Sequence, residues 1–306
     1  MSDAGFTAKP LGSGIGREVS GLDIESDIAP ATSDALCQLW LEHGLVVFPE
    51  IGTSPEAQLR LSRCFGELEV HPIPLFRHPQ HDELILLTNK DGANGPVYDF
   101  GGVPTFGRIS WHSDLAYTTA PNAGALLRMV QKPEEGGQTG WIDCGMAYDA
   151  LPDQTKQRIG ALETVSVFRA GLEEMRFSRP DGKRLDQRKP AYPHFAPVAR
   201  PLVSRHPQNG RRVINLSALN VEAVLGLPRA EGDGLIRELL AHLENPAFRY
   251  FHNWQQDDMV LWDNRRMLHC TLGHPADQVR IVHRTTIRGD AALGRLATET
   301  ELETVA

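Results

Sequence analysis

Three side chains in this sequence could hold one metal ion. In Ile109-Ser110-Trp111-His112-Ser113-Asp114-Leu115-Ala116-Tyr117, His112 and Asp114 are two residues apart. On an extended strand such a pair points to one face. Far downstream, Trp262-Asp263-Asn264-Arg265-Arg266-Met267-Leu268-His269 runs from an apolar strand into an Asp-Asn turn, which is expected to present His269 at the strand's rim. A His-x-Asp pair joined by one distant His makes a facial triad. It leaves three positions of an Fe(II) ion open for a chelating co-substrate and O2.

Eleven residues after His269 comes Arg280, and four further on Arg284. On a strand the two share a face, roughly 13 Å apart, and inward guanidinium groups are costly without anionic partners. One anion would be a dicarboxylate bound to the metal and the other a substrate. Alternatively, both arginines pair with structural carboxylates such as Asp263 or Asp290.

His-x-Asp/Glu is a weak motif, and the chain has three: His81/Glu83, His112/Asp114 and His242/Glu244. The last sits in a predicted helix over 230–244, where residues two apart diverge. His81/Glu83 lies in a polar connection with no evident downstream partners. His112/Asp114 follows the glycine-rich segment 89–108, which reads as a long loop closing over a site like a lid. A second polar, charge-rich insertion covers about 170–196.

The elements that would position these groups are mainly strands. Leu36, Leu39, Trp40 and His43 share a helical face that Gly44 ends. Leu45-Val46-Val47-Phe48 is a short buried strand, and Ser54-Pro55 opens a helix expected to close at Gly66. Apolar runs at 84–87, 203, 213–214, 259–262 and 281–287 read as strands, with helices near 152–162 and 230–244. The fold class is therefore α+β, mainly β, built on an antiparallel barrel or sandwich. Gly12-Ser13-Gly14-Ile15-Gly16 lacks a preceding strand and reads as a turn rather than a nucleotide loop.

Composition sets the outer bounds. The chain has 306 residues, 41% hydrophobic and 23% charged, with a net charge of −8. That balance speaks against nucleic acid or an anionic membrane as partner. Cys37, Cys64, Cys144 and Cys270 form no C-x-x-C pair, so reduced thiols and a cytoplasmic location are expected. The N-terminus shows no signal peptide, and no apolar stretch is long enough to span a membrane.

These residues resemble the taurine dioxygenase family, which also holds the alkylsulfatase and 2,4-dichlorophenoxyacetate dioxygenases. The resemblance covers roughly residues 8–290. It rests on Gly66-Glu67-Leu68 with His71-Pro72, the His112/Asp114 pair, and Thr139 within Gly136-Gly137-Gln138-Thr139-Gly140-Trp141. Ala147-Tyr148-Asp149-Ala150-Leu151, Trp262-Asp263-Asn264-Arg265, His269 and Arg280 complete it.

The resemblance implies a single domain over 1–306, a double-stranded β-helix (jelly-roll) core with flanking helices, and a homodimer or homotetramer. It implies Fe(II) on His112, Asp114 and His269, with 2-oxoglutarate and O2 as co-substrates. Thr139 and Arg280 would hold the distal carboxylate of 2-oxoglutarate, with Arg284 shared between co-substrate and substrate. The reaction implied is hydroxylation of a C–H in a small organic anion, with succinate and CO2 as co-products and release of the heteroatom group. His71, Arg284 and Arg108 would touch that anion.

Taurine itself is not implied. The chain reads His71-Pro72-Ile73-Pro74 where taurine enzymes continue His-Pro-Val-Tyr, and Arg108 or its neighbours replace an Asn that contacts taurine. An alkyl sulfate, another sulfonate or an aryloxyalkanoate is expected instead. The alternatives are a hydroxylase of an amino acid or natural product on the same core, and a non-catalytic jelly-roll binder. Intact His112, Asp114, His269, Thr139 and Arg280 argue against the second.

Overall fold

The computed structural model describes residues 5–71, 76–90, 95–186 and 192–305. The chain begins with β1 (Thr7–Pro10), β2 (Arg17–Ser20), α1 (Pro30–His43), β3 (Leu45–Phe48), α2 (Pro55–Arg63) and β4 (Leu84–Thr88). Then come β5 (Val97–Phe100), β6 (Val103–Phe106), β7 (Ile109–His112), β8 (Gly124–Gln131) and β9 (Thr139–Asp143). A middle section holds α3 (Cys144–Asp149), α4 (Asp153–Ile159), β10 (Glu163–Ser166), β11 (Lys183–Arg184), β12 (Val198–Pro201), β13 (Val203–Arg205), β14 (Arg212–Ile214) and β15 (Val221–Val224). The last part contributes α5 (Arg229–Leu243), β16 (Arg249–His252), β17 (Met259–Asp263), β18 (Met267–Thr271), β19 (His274–Pro275), β20 (Ile281–Ile287), β21 (Arg295–Leu296) and α6 (Glu299–Val305).

Two sheets carry the architecture. A seven-stranded sheet runs β1-β2-β3-β17-β8-β20-β4, and a four-stranded sheet runs β16-β9-β18-β7. Their inner faces meet. Leu45, Val47, Leu127, Val260 and Val282 of the large sheet pack with Trp141 and Met267 of the small one. The large sheet's outer face is also covered, by Leu36 and Trp40 of α1 and by Leu59 and Leu61 of α2, against Val46, Phe48 and Leu261. A strand buried on both faces needs an unbroken apolar run, which is why β3 reads Leu-Val-Val-Phe rather than alternating. Behind the small sheet, Leu235, Ile236, Leu239 and Leu243 of α5 pack with Ile142 and Leu268.

Local signals account for the helix ends. Gly44 adopts φ 72° and donates its amide to the Trp40 carbonyl at 2.7 Å, and the Ser54 hydroxyl accepts the Ala57 amide at 3.0 Å. The second helix closes at Cys64 rather than Gly66, because the Cys64 amide already turns back to Leu61. All four cysteines are free thiols. Among the described residues no helix is long and apolar enough to cross a membrane.

The two irregular segments contain strands. Residues 97–106 form the β5–β6 hairpin, with Gly101 and Gly102 at φ 67° and 90° as its turn. The 170–196 insertion supplies β11, which adds to β5. On its other edge the hairpin pairs with β19, just past β18. Residues 91–94 and 187–191 of these segments lie outside the described residues.

Candidate active site

His112 ends β7 and His269 lies in the middle of β18. The two are cross-strand partners, and their rings stand 4.1 Å apart. On the other side of β18, β9 contributes Gly140, where a side chain would collide with the Trp111 and Phe251 rings. Beyond β7 the chain turns, with Leu115 at φ 55°, and Asp114 comes back toward both rings. Asp114 Oδ1 lies 3.9 Å from His112 Nε2 and 3.6 Å from His269 Nε2. The three candidate ligand atoms fall within 4.8 Å of one another, and among the described residues they form the one His/Cys/Asp/Glu group able to hold a metal. The sequence expectation needs two corrections. Asp114 follows the strand instead of lying on it, and His269 sits mid-strand because the turn extends through Arg266.

Two of the three donors, His112 and Asp114, are in the state a cation requires. His112 Nδ1 lies 2.8 Å from the Ser110 carbonyl. A carbonyl only accepts, so the proton is on Nδ1 and the Nε2 lone pair faces Asp114. Burial, with the neighbouring His269, pushes the His112 pKa down to about 3 and keeps it neutral. Burial alone would raise Asp114, but Arg284, His269 and His112 outweigh it and hold the carboxyl well below the usual range. Arg284 donates to Asp114 Oδ2 at 2.7 Å and, at the longer distance of 3.4 Å, to Oδ1, the oxygen that also faces the two histidines. Two imidazoles and one carboxylate suit a divalent ion such as iron.

Asn264 fixes the backbone of Asp114. Its Oδ1 accepts the Asp114 amide at 2.7 Å, and its Nδ2 donates to the Asp114 carbonyl at 3.0 Å and the Asn122 carbonyl at 3.1 Å. Asp263 and Asp290, the carboxylates considered for Arg280 and Arg284, are engaged elsewhere. Asp263 faces His206 at 2.8 Å, and Asp290 takes Arg265.

Arg280, just before β20, has a different environment. Its Nε is sealed from solvent without a partner, and among the described residues no carboxylate pairs with it. Burial pushes its pKa down to about 10. It lines a cavity of about 310 Å³ together with Leu87, Tyr98, Arg108, Tyr192 and His274. Thr139, on β9, is buried, and its hydroxyl accepts the Trp254 indole N–H at 3.0 Å. Arg108 lies over the Phe100 ring at 4.5 Å. His71 packs edge-on to Phe76 at 5.2 Å and is not among the residues lining this cavity.

Several groups here were not singled out from sequence. His274 Nδ1 is tied to the Pro275 carbonyl at 2.9 Å, while Nε2 is buried without a partner. Tyr117, Phe168, Tyr192 and Phe195 form a partly exposed aromatic cluster with centroids 4.8–5.1 Å apart. The charges of Asp114 and Arg284 act on the Tyr117 hydroxyl, whose pKa rises to about 12, mainly through burial. No periodicity marks these rings, which come from three separate loops. The competing pairs are spent on structure: His81 on Glu56, Glu83 on Arg63, and His242 on the Ala147 carbonyl.

Together these observations define a mainly β protein with a two-histidine, one-carboxylate metal site, and with an arginine-bearing cavity lined in part by Ile109 and Thr271 of the two strands that carry the histidines. Residues 7–286 match the family described as "Taurine catabolism dioxygenase TauD, TfdA family". The (S)-phenoxypropionate/alpha-ketoglutarate-dioxygenase of Sphingobium herbicidovorans is 31% identical over 294 residues, 95% of this chain and 98% of that protein. The pentalenolactone F synthase of Streptomyces avermitilis is 27% identical, over 95% and 97%. A solved structure of AAD-2 in complex with Mn(II) and N-oxalylglycine superposes with a TM-score of 0.75 at 25% identity, covering 96% of this chain and all of that one, 100%. The chain belongs to the TauD, TfdA family of dioxygenases.

Proposed function

We propose that the chain is an Fe(II)- and 2-oxoglutarate-dependent dioxygenase that hydroxylates a C–H of a small organic anion. His112, Asp114 and His269 hold the iron. Bound there with 2-oxoglutarate and O2, the iron supplies the oxidising power for C–H hydroxylation, and succinate and CO2 are the co-products. Thr139 and Arg280 receive the distal carboxylate of 2-oxoglutarate, where a planar guanidinium makes two parallel charged hydrogen bonds. Arg284 orients Asp114 and presents its charge to the substrate's anion, with Arg108 and His71 as further contacts. The Tyr117–Phe168–Tyr192–Phe195 cluster supports a substrate with an apolar or aromatic body, an aryloxyalkanoate before an alkyl sulfate or sulfonate. The facing sheets support a jelly-roll core in one domain, with the β5–β6 hairpin as its lid.

The observation that carries this reading is Arg280, a guanidinium held in a cavity without a carboxylate beside a triad ready for metal. Such a cation calls for an anionic ligand. The test is anaerobic addition of Fe(II) and 2-oxoglutarate, followed by a succinate-release screen. A visible metal-to-ligand charge-transfer band and release driven by an aryloxyalkanoate are expected, and absence of the band defeats the reading. The alternative, a natural-product hydroxylase on the same core, draws on the likeness to the pentalenolactone F synthase. Release driven by such a compound and by no small anion would select it.

A further inference from the structure

We propose that Trp254 is a positioning residue for 2-oxoglutarate, acting through the Thr139 hydroxyl. The inference rests on the reading of Thr139 and Arg280 given above. The Trp254 indole N–H lies 3.0 Å from Thr139 Oγ1, and both residues are buried, at 6% and 3% exposure. An indole nitrogen only donates, so the threonine oxygen is the acceptor. The hydroxyl's single proton is then free, and among the described residues the Thr139 side chain makes no other hydrogen bond. The indole removes the orientations in which the hydroxyl oxygen would face a donor elsewhere. What is left is a donor for an incoming acceptor.

That acceptor arrives where Arg280 is. The Arg280 Cδ passes 3.6 Å from where a Cβ on Gly137 would stand, two residues before Thr139. A carboxylate at this pole takes charged hydrogen bonds from the guanidinium and one further bond from the preset hydroxyl.

The indole is itself held. His252, the cross-strand partner of Thr139, meets the Trp254 ring perpendicularly at 4.7 Å. His252 Nε2 lies 2.9 Å from Asp258 Oδ2, and its Nδ1 lies 2.8 Å from the Tyr250 hydroxyl. Asp258 also accepts the Gln255 amide at 2.8 Å and the Glu50 amide at 3.1 Å. This network fixes the plane of the ring whose N–H orders Thr139. None of these hydrogen bonds involves a triad residue, so the effect belongs to co-substrate affinity and not to turnover.

The experiment is a double-mutant cycle on Trp254→Phe and Thr139→Ala, read as the 2-oxoglutarate dissociation constant from the anaerobic Fe(II) band and as kcat and KM. Trp254→Phe is expected to raise that constant about 5- to 20-fold, the effect of about one hydrogen bond, with kcat within about 2-fold. In the Thr139→Ala background the same substitution is expected to change nothing further. An isosteric replacement of Trp254 by β-(3-benzothienyl)alanine, which keeps the ring shape but lacks the N–H, should reproduce Trp254→Phe and covers the case in which the phenylalanine variant does not fold. An unchanged constant in the isostere, or effects that multiply in the double variant, overturns the proposal. A wild-type protein giving no band at all would instead bring down the reading of the site on which the proposal stands.

Discussion

Replacing Arg280 with Met should raise the thermal stability of the protein without co-substrate and abolish its response to 2-oxoglutarate. The side chain is a cation with its Nε sealed from solvent and no acidic partner among the described residues. A pKa pushed down to about 10 corresponds to a penalty on the charged form of up to about 3 kcal/mol, less what water in the cavity returns. A residual of about 1–3 kcal/mol is a rise in Tm of roughly 1.5–5 °C for a chain of this size. Methionine keeps most of the stem, and the Arg280 backbone amide keeps its 3.0 Å bond to Asn89. The cost appears only on binding: loss of a bidentate charged pair should raise the 2-oxoglutarate dissociation constant at least about 100-fold. Arg280→Lys keeps the charge and loses the fork, so its affinity falls between the two. The assay is a thermal melt with Mn(II), with and without 2-oxoglutarate. The wild type should gain stability with concentration as mass action requires, and the Met variant should start higher and stay flat. A Met variant that melts lower, or still titrates like the wild type, refutes the argument that this arginine awaits an anion.

Three further outcomes follow from the same geometry. Asp114→Ala should stay folded but lose more metal affinity than the roughly 10- to 100-fold that an outer partner costs, as measured by Co(II) titration. Full affinity would remove Asp114 from the ligand set. Asn264→Ala leaves the triad intact but frees both backbone groups of Asp114, so its metal affinity should drop by that smaller factor of about 10–100. His283, whose pKa burial pushes down to about 4 with help from His78, Arg128 and His81, stays neutral in the fold and protonates more readily unfolded. Its contribution is therefore present above pH ~6.5 and lost as pH falls toward ~4, worth up to about 3 kcal/mol. Urea midpoints of His283→Gln should fall less between pH 7 and pH 4.5 than those of the wild type.

Much of the scaffold was legible because local chemistry decides it. Gly44 and Ser54-Pro55 end and begin helices by their own backbone and hydroxyl, and the apolar runs that became β3, β17 and β20 need only a covered sheet. The hairpin within 89–108 was not legible, because glycines in such number read as a loop, whereas Gly101-Gly102 supply the two positive φ values that a tight hairpin requires. The partners of that hairpin, β11 and β19, come from about 80 and 170 residues away, and no local pattern announces such pairing. Likewise the fates of Asp263 and Asp290 depend on His206 and Arg265, so charge counting near Arg280 named the wrong acids.

The site itself shows what decides between equivalent motifs. Three His-x-Asp/Glu pairs occur in the chain, and spacing cannot separate them. What separates them is which nitrogen is already spent. His242 gives Nε2 to the Ala147 carbonyl and His81 gives Nε2 to Glu56, so neither keeps that lone pair for a metal. His112 commits Nδ1 to Ser110, only two residues back on its own strand, and this sets the tautomer that leaves Nε2 free. The register of β7 against β18 then brings a second imidazole to 4.1 Å, a pairing across 157 residues of chain. The tautomer is a local property and the register is not. A sequence can therefore nominate His112 on chemical grounds, while His269 becomes its partner only through the fold.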